Sequence, residues 1–201
     1  MEVNECPQCG SPAQTSQRRC EYCKAEFVIT NLAYLGTVSP QGVQKYLQHY
    51  RRMTQAEPSN AEAHLGLGLA YLQLGLFAEA KRSFATHLQI SPEVPQVYYY
   101  FCLATVSGRR LATLSLREIR ELEQHLAASL QLDQNCTLSA LLLCLIKHDY
   151  YDANGLRATP PLTAQLLSQI QGASVAASEL SRLRASVLIR DDFYSPYLQV
   201  V

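Results

Sequence analysis

The chain lacks the features that would assign it to a membrane, secreted or nucleic-acid-binding class. No apolar run approaches the roughly 18 to 20 residues that a transmembrane helix needs. Its 17 basic and 17 acidic residues leave no net charge, so no strong attraction to phosphate is expected. No charged-then-apolar leader with a small-residue cleavage site precedes Cys6. We therefore expect a cytoplasmic protein without a membrane span.

Motifs of catalysis are also absent from the sequence. The five histidines are dispersed, without an H-E-x-x-H pair, and neither a G-x-S-x-G elbow nor a glycine-rich phosphate loop is present. His148 and Asp149 are adjacent, but neighbouring residues of a helix point about 100° apart, which disfavours a catalytic dyad. We therefore expect no enzymatic activity.

Cysteine is present in a specific pattern near the N-terminus. Cys6 and Cys9 form one pair, Cys20 and Cys23 form a second, and ten residues separate the pairs. Four thiolates at this spacing can bind one Zn²⁺ tetrahedrally, and the intervening residues suffice for a short hairpin. Disulfides or redox-active dithiols are the alternative, and metal sites predominate over them in intracellular chains. The sequence predicts one structural zinc ion.

Residues 4–28 resemble a zinc ribbon of the short bacterial kind, whose pattern is C-P-x-C-G followed by C-x-x-C. The segment from Cys6 to Gly10 has the sequence C-P-Q-C-G, whereas Lys24 stands where a second glycine is common. The resemblance implies a small β domain over residues 1–30, held together by its metal, in a bacterial protein.

From about residue 42 the apolar residues recur every three or four positions, which is typical of helices. The stretch from Ala61 to Pro92 follows the spacings W-x₂-L-G-x₂-Y, A-x₃-F and P. The residues at those positions are His64, Leu67, Gly68, Tyr71, Ala80, Phe84 and Pro92. This stretch resembles a tetratricopeptide repeat, with His64 in place of the tryptophan. With degenerate flanking repeats, the resemblance covers residues 43–152 and implies stacked helix pairs.

The predicted fold class is mainly α: a short helical-repeat solenoid with a small N-terminal β zinc ribbon. Residues 31–42 are predicted to be a linker, and residues 153–201 to form capping helices and a tail. We expect a helix from Thr159 to about Ile170 and another from Ser174 to Arg190. Capping is favoured because the last repeat otherwise exposes an apolar face, and an interface is the alternative. The sequence does not decide whether the tail lies on the helices, pairs as a strand or docks into a partner.

In tetratricopeptide proteins, function resides on the concave face, which first-helix residues line. The residues predicted to line that groove here are apolar: Leu65, Leu69, Leu72, Tyr99 and Leu103. The lysine, arginine and asparagine side chains with which some members of the family hold a C-terminal carboxylate are missing there. The groove therefore suits an apolar or amphipathic helix of another protein. The alternative is that the chain's own final helices fill it.

The predicted function is a noncatalytic adaptor that binds another protein and carries structural zinc. The alternative is a nucleic-acid-associated zinc-ribbon factor. Against it stands the charge balance, since the basic cluster between Arg109 and Arg120 is offset by Glu118, Glu121 and Glu123. The orientation of the ribbon relative to the repeats is left open.

Overall fold

The computed structural model describes residues 3–14 and 18–201 of the 201-residue chain. These residues are mainly helical and form two compact units, Met1–Ile90 and Ser91–Val201. The boundary between the units falls inside the predicted repeat region rather than at residue 30 or 152. None of the helices in the described ranges has the length and apolar character needed to span a bilayer.

The first unit begins with a two-stranded antiparallel sheet. Strands β1 (Val3–Glu5) and β2 (Pro12–Gln14) pair so that Asn4 lies opposite Ala13. Four helices follow: α1 (Leu32–Thr37), α2 (Pro40–Ala56), α3 (Ala61–Gln73) and α4 (Phe77–Ile90). Side-chain oxygens cap the N-termini of α2 and α3: Ser39 accepts from the Gly42 N–H, and Asn60 accepts from the Ala63 N–H.

Glycines let α3 approach its neighbours closely. A Cβ atom at Gly68 would lie 2.5 Å from the Phe84 ring of α4, and one at Gly66 would lie 2.3 Å from the Tyr50 ring of α2. Both rings are buried, so neither can move aside. Gly68 and Phe84, two of the repeat-motif residues, therefore pack against each other in the seam between α3 and α4.

The predicted linker, residues 31–42, is ordered structure. Asn31 caps α1 by accepting from the Ala33 N–H, and α2 already begins at Pro40. Leu32 and Leu35 of α1 are buried, and α1 packs against α3. The apolar positions of so short a helix give too little periodicity for recognition in the sequence.

The second unit contains five helices in its described residues. They are α5 (Pro95–Val106), α6 (Leu116–Leu132), α7 (Thr137–Ile146), α8 (Thr163–Ile170) and α9 (Ala177–Ser186). A 3₁₀ turn at Leu111–Thr113 precedes α6, and α7 continues as π-helical backbone over Lys147–Asp152. A capping box joins Ser115 and Glu118 at the start of α6.

The C-terminal residues correct part of the prediction. Instead of a helix from Ser174 to Arg190, strand β3 (Ala173–Val175) precedes α9 and pairs in parallel with β4 (Leu198–Val200), which follows a 3₁₀ turn at Ser195–Tyr197. The tail thus pairs as a strand. Local periodicity could not show this, because the pairing joins residues far apart in the chain. Helix α8 packs on α7 and α9 on α5, as capping of the repeats predicts.

Candidate metal centre and partner-binding surfaces

The four N-terminal cysteines converge on one point. Their Sγ atoms all lie within 4.8 Å of one another. The Sγ atoms of Cys6 and Cys23 are 3.6 Å apart, and those of Cys9 and Cys20 are 3.7 Å apart. Sulfurs about 2.3 Å from a tetrahedral Zn²⁺ are separated by about 3.8 Å, whereas a disulfide requires about 2.05 Å. All four are free thiols, so the predicted cluster is confirmed and has metal-binding geometry.

Two backbone turns with the same hydrogen-bond pattern, one after each first cysteine of a pair, position the sulfurs. The Gly10 N–H donates to the Cys6 carbonyl at 2.9 Å, and the Lys24 N–H donates to the Cys20 carbonyl at 3.0 Å. Gly10 and Lys24 both adopt the left-handed conformation, with φ of 72° and 63°. Lys24, the departure from the ribbon pattern, therefore occupies a backbone conformation that favours glycine.

The surroundings of the thiols differ electrostatically. The backbone N–H of Cys23 and the hydroxyl of Ser11 lower the pKa of Cys20 to about 6. Desolvation, together with hydrogen bonds to the Cys9, Cys6 and Cys20 sulfurs, raises the pKa of Cys23 to about 12. A metal ion bound here must displace at least the Cys23 proton.

Tyrosines of α2 hold the cysteine-containing segment from one side. The Tyr46 hydroxyl donates to the Glu26 carbonyl at 2.6 Å. The Tyr50 hydroxyl donates to the Phe27 carbonyl at 3.1 Å and accepts from the Ile29 N–H at 2.9 Å. Burial raises the pKa of both tyrosines above the ordinary value, so both remain protonated donors.

A second set of bonds joins the first cysteine turn to the start of α2. The Gln8 side-chain amide donates to the Gly42 carbonyl at 2.8 Å, and the Lys45 ammonium donates to the Gln8 carbonyl at 2.6 Å. Both cysteine turns are thus fixed to the helix that leads into α3. Within the first unit, these contacts set the orientation of the cysteine-containing segment relative to α2, which the sequence left open.

The second unit contains a cleft of about 610 Å³ between α6, the end of α7 and the segment before α8. At its floor the Lys147 ammonium, with only 3% of its side chain exposed, pairs with the Glu123 carboxylate. The Tyr151 hydroxyl donates to the same carboxylate at 3.0 Å. The sequence analysis did not predict this cleft. The signal that could have indicated it is the spacing of Lys147 and Tyr151, four residues apart at the end of the apolar helix α7.

The side chains of His148 and Asp149, for which the sequence disfavoured a catalytic dyad, are in contact. Their Nδ1 and Oδ1 atoms are 2.7 Å apart. The other Asp149 oxygen accepts from the Arg190 N–H at 3.3 Å. The His148 ring stacks on the Phe193 ring, with 4.0 Å between the ring centroids. The pair therefore fixes the segment after α9 to the end of α7.

Part of the helical region of the first unit is similar to a known repeat. Residues 47–99 match the tetratricopeptide repeat family. The match covers most of α2, all of α3 and α4 and the first residues of α5, and it confirms the repeat inferred from Ala61 to Pro92. No curated protein matches the chain.

The predicted repeat groove is corrected by the burial of its residues. The five side chains are 7% exposed at Leu65 and 0% exposed at Leu69, Leu72, Tyr99 and Leu103. Within the first unit α1 packs against α3, and within the second unit α7 and α9 pack against α5. These residues therefore belong to the cores of the units and do not line an open groove. In the second unit, the alternative in which a final helix covers α5 describes the structure.

Proposed function

We propose that this chain is a noncatalytic adaptor that binds another protein through its helical-repeat body and carries one structural Zn²⁺ in an N-terminal zinc ribbon. The tetratricopeptide repeat over residues 47–99 carries the proposal, because stacked helical repeats of this kind provide extended surfaces for other proteins.

The cysteine cluster supports the zinc part of the proposal. Cys6, Cys9, Cys20 and Cys23 would hold the ion, and the short β1–β2 hairpin begins the small domain that presents the first pair. Four sulfurs complete a tetrahedral ligand set and leave no position for water or substrate, so the ion would be structural. When bound, it supplies folding free energy to a segment too small to have a sizeable core of its own.

The buried ionisable side chains at the base of the second unit's cleft support a noncatalytic role. Lys147 and Tyr151 both direct their donors to the Glu123 carboxylate, so these groups satisfy one another. A thiolate site also requires reduced cysteines, which favours the cytoplasm.

The test is isolation of the tagged full-length chain from its native cells after chemical cross-linking, with and without nuclease treatment. We expect one zinc ion per chain by native mass spectrometry, and one protein recovered in near-stoichiometric amount whether or not nuclease is added. Recovery that depends on nucleic acid would favour the nucleic-acid-associated alternative. A chain without any cross-linked protein would contradict the adaptor proposal.

A further inference from the structure

The exposed side of α6 carries a continuous depression. The cleft described above shares Leu116, Arg120 and Gln124 with a shallower depression on one side, and Ala127, Leu143 and Pro161 with another on the other side. We call this surface the α6 groove: Leu116 to Gln131 of α6, facing Leu143, Lys147, Leu156 and Arg157. At a rise of about 1.5 Å per residue, its α6 wall is about 22 Å long, the length of about six or seven extended residues. That shape suits a peptide segment better than a compact small molecule.

The central cleft of the α6 groove has an excess of positive charge in a chain with none overall. Arg120, Lys147 and Arg157 line it, and Glu123 is the single carboxylate. Lys147 is neutralised by its ion pair with Glu123. Arg120 and Arg157 are exposed and form no ion pair or hydrogen bond with any described side chain, so two guanidinium groups remain for an anionic partner.

Apolar surface adjoins these arginines. Leu116 and Leu156 are 44% and 46% exposed, and both line the central cleft together with Pro160 and Pro161. Both leucines therefore present apolar surface to the same cleft as the two arginines. The groove therefore combines an apolar wall with unpaired cations.

We propose that the α6 groove binds an extended acidic segment of the protein partner, with carboxylates on Arg120 and Arg157 and an apolar side chain between Leu116 and Leu156. This inference rests on the proposed adaptor function and specifies the chemistry of its partner. Arginine suits the role because its planar donor fork can bind a carboxylate through two hydrogen bonds.

The lining disfavours nucleic acid as the occupant. Proteins that bind single strands combine positive charge with exposed aromatic side chains on which bases stack. Tyr151 is the aromatic residue among those lining the central cleft, and it is buried beneath Lys147, whose Nζ lies 5.0 Å from the ring centroid. Glu121 and Glu123 also line the groove and repel phosphate.

The first step of the test selects binding peptides on the full-length zinc-loaded protein from a displayed library of random twelve-residue sequences. We expect enrichment of peptides with Asp or Glu next to Leu, Ile or Phe. Enrichment of purely apolar or basic peptides, or of none above background, would overturn the inference.

The second step measures the affinity of the strongest selected peptide by fluorescence anisotropy. We expect Arg120→Glu and Arg157→Glu each to weaken binding about tenfold, and the double variant about a hundredfold, because like charges then face each other. Arg52→Glu, an equally exposed charge reversal on α2, is the control and should bind as the unaltered protein does. Circular dichroism verifies that each variant keeps its helices.

The outcomes separate this inference from the adaptor proposal. If a single-stranded oligonucleotide binds more tightly than the peptide and loses affinity in the same variants, the groove is a nucleic-acid site and the inference fails. If the cellular partner binds equally to the unaltered protein and to the Arg120→Glu, Arg157→Glu double variant, the adaptor proposal stands and its site lies elsewhere.

Discussion

In each unit another segment of the chain covers the first helix of a repeat-type helix pair, and the covering segments differ. In the first unit, α1 lies on α3, and the cysteine turns are attached to α2 by tyrosine hydroxyls and backbone groups. In the second, α9 lies on α5 within an apolar core that includes one buried ion pair. The comparison shows that a short helix covers the first helix of a pair in both units, although the four-cysteine cluster is found in the first unit alone.

This difference makes the units separable by experiment. Removal of the metal should act on the first unit, because the second contains none of the four clustered cysteines. Loss of the buried ion pair should act on the second unit alone, because Glu123 and Lys147 both belong to it.

The largest expected effect is that of Cys6→Ser. This change removes one of the four sulfurs, so we expect loss of the bound zinc and of its contribution to folding, on the order of 10 kcal/mol for structural zinc sites. Inductively coupled plasma mass spectrometry of the purified chain measures the metal. Cys136→Ser in the second unit is the control and should keep one zinc ion per chain. Full zinc occupancy in Cys6→Ser would show that the ligand set is wrong.

The second largest effect belongs to the other unit. Lys147→Met leaves the Glu123 carboxylate partly buried without its cation, and we expect a loss of about 3 kcal/mol in the free energy of unfolding of that unit. Urea titration followed by circular dichroism measures it, and the double variant Glu123→Gln, Lys147→Met should recover most of the loss. A full loss in the double variant would mean that the ion pair is not the cause.

Tyr50→Phe tests the attachment of the cysteine segment to α2. It removes a hydroxyl that makes two backbone hydrogen bonds, so the first unit should lose about 2 kcal/mol. Chelator-induced zinc release, followed with a metal-binding dye, should also become faster. Tyr22→Phe, at a ring 74% exposed in the second cysteine turn, is the matched control with no expected change. Equal release rates in both variants would separate the metal site from the helices.

Zinc affinity should fall as the pH falls. Because the pKa of Cys23 is raised to about 12, the metal-free thiol is protonated at neutral pH and zinc must displace that proton. One displaced proton lowers the apparent affinity about tenfold for each pH unit on acidification, and further displaced protons lower it more. Competition with a chelator between about pH 6 and pH 8 measures the slope. An affinity that does not change with pH would exclude thiolate ligation.

The smallest effect compares the two cysteine turns. Lys24→Gly removes the strain of a side chain on left-handed backbone, and the greater conformational freedom of glycine in the unfolded chain offsets part of this benefit. We therefore expect the free energy of unfolding to rise by about 0.5 kcal/mol. Gly10→Ala at the equivalent position should destabilise, although a Cβ atom there would meet nothing within 4 Å. If both variants were stabilised, or both destabilised, the two turns would not be equivalent.

The parts of the fold that local signals encode were predictable from the sequence. Local signals mark the starts of α5 and α6, because Pro95 stands in the first turn of one and a capping box begins the other. The cysteine spacing likewise indicated the cluster, since two short turns bring four sulfurs together without help from the rest of the chain.

Long-range contacts account for what sequence reasoning missed. Periodicity marked Leu69 and Tyr99 as apolar and helical, but it could not say that α1 and α9 would cover those helices. The same limit applies to the pairing of β3 with β4 and to the meeting of Glu123 with Lys147, which depend on the path of the chain between them.

The most direct test of the account is hydrogen exchange, followed by mass spectrometry, on the full-length chain with bound zinc and after chelation. The account predicts that chelation increases exchange in the cysteine segment, α1 and α2, while the peptides of α5 to α9 keep their protection. Unchanged exchange in α1 and α2, or an equal increase across both units, would contradict the claim that one zinc ion stabilises the first unit specifically.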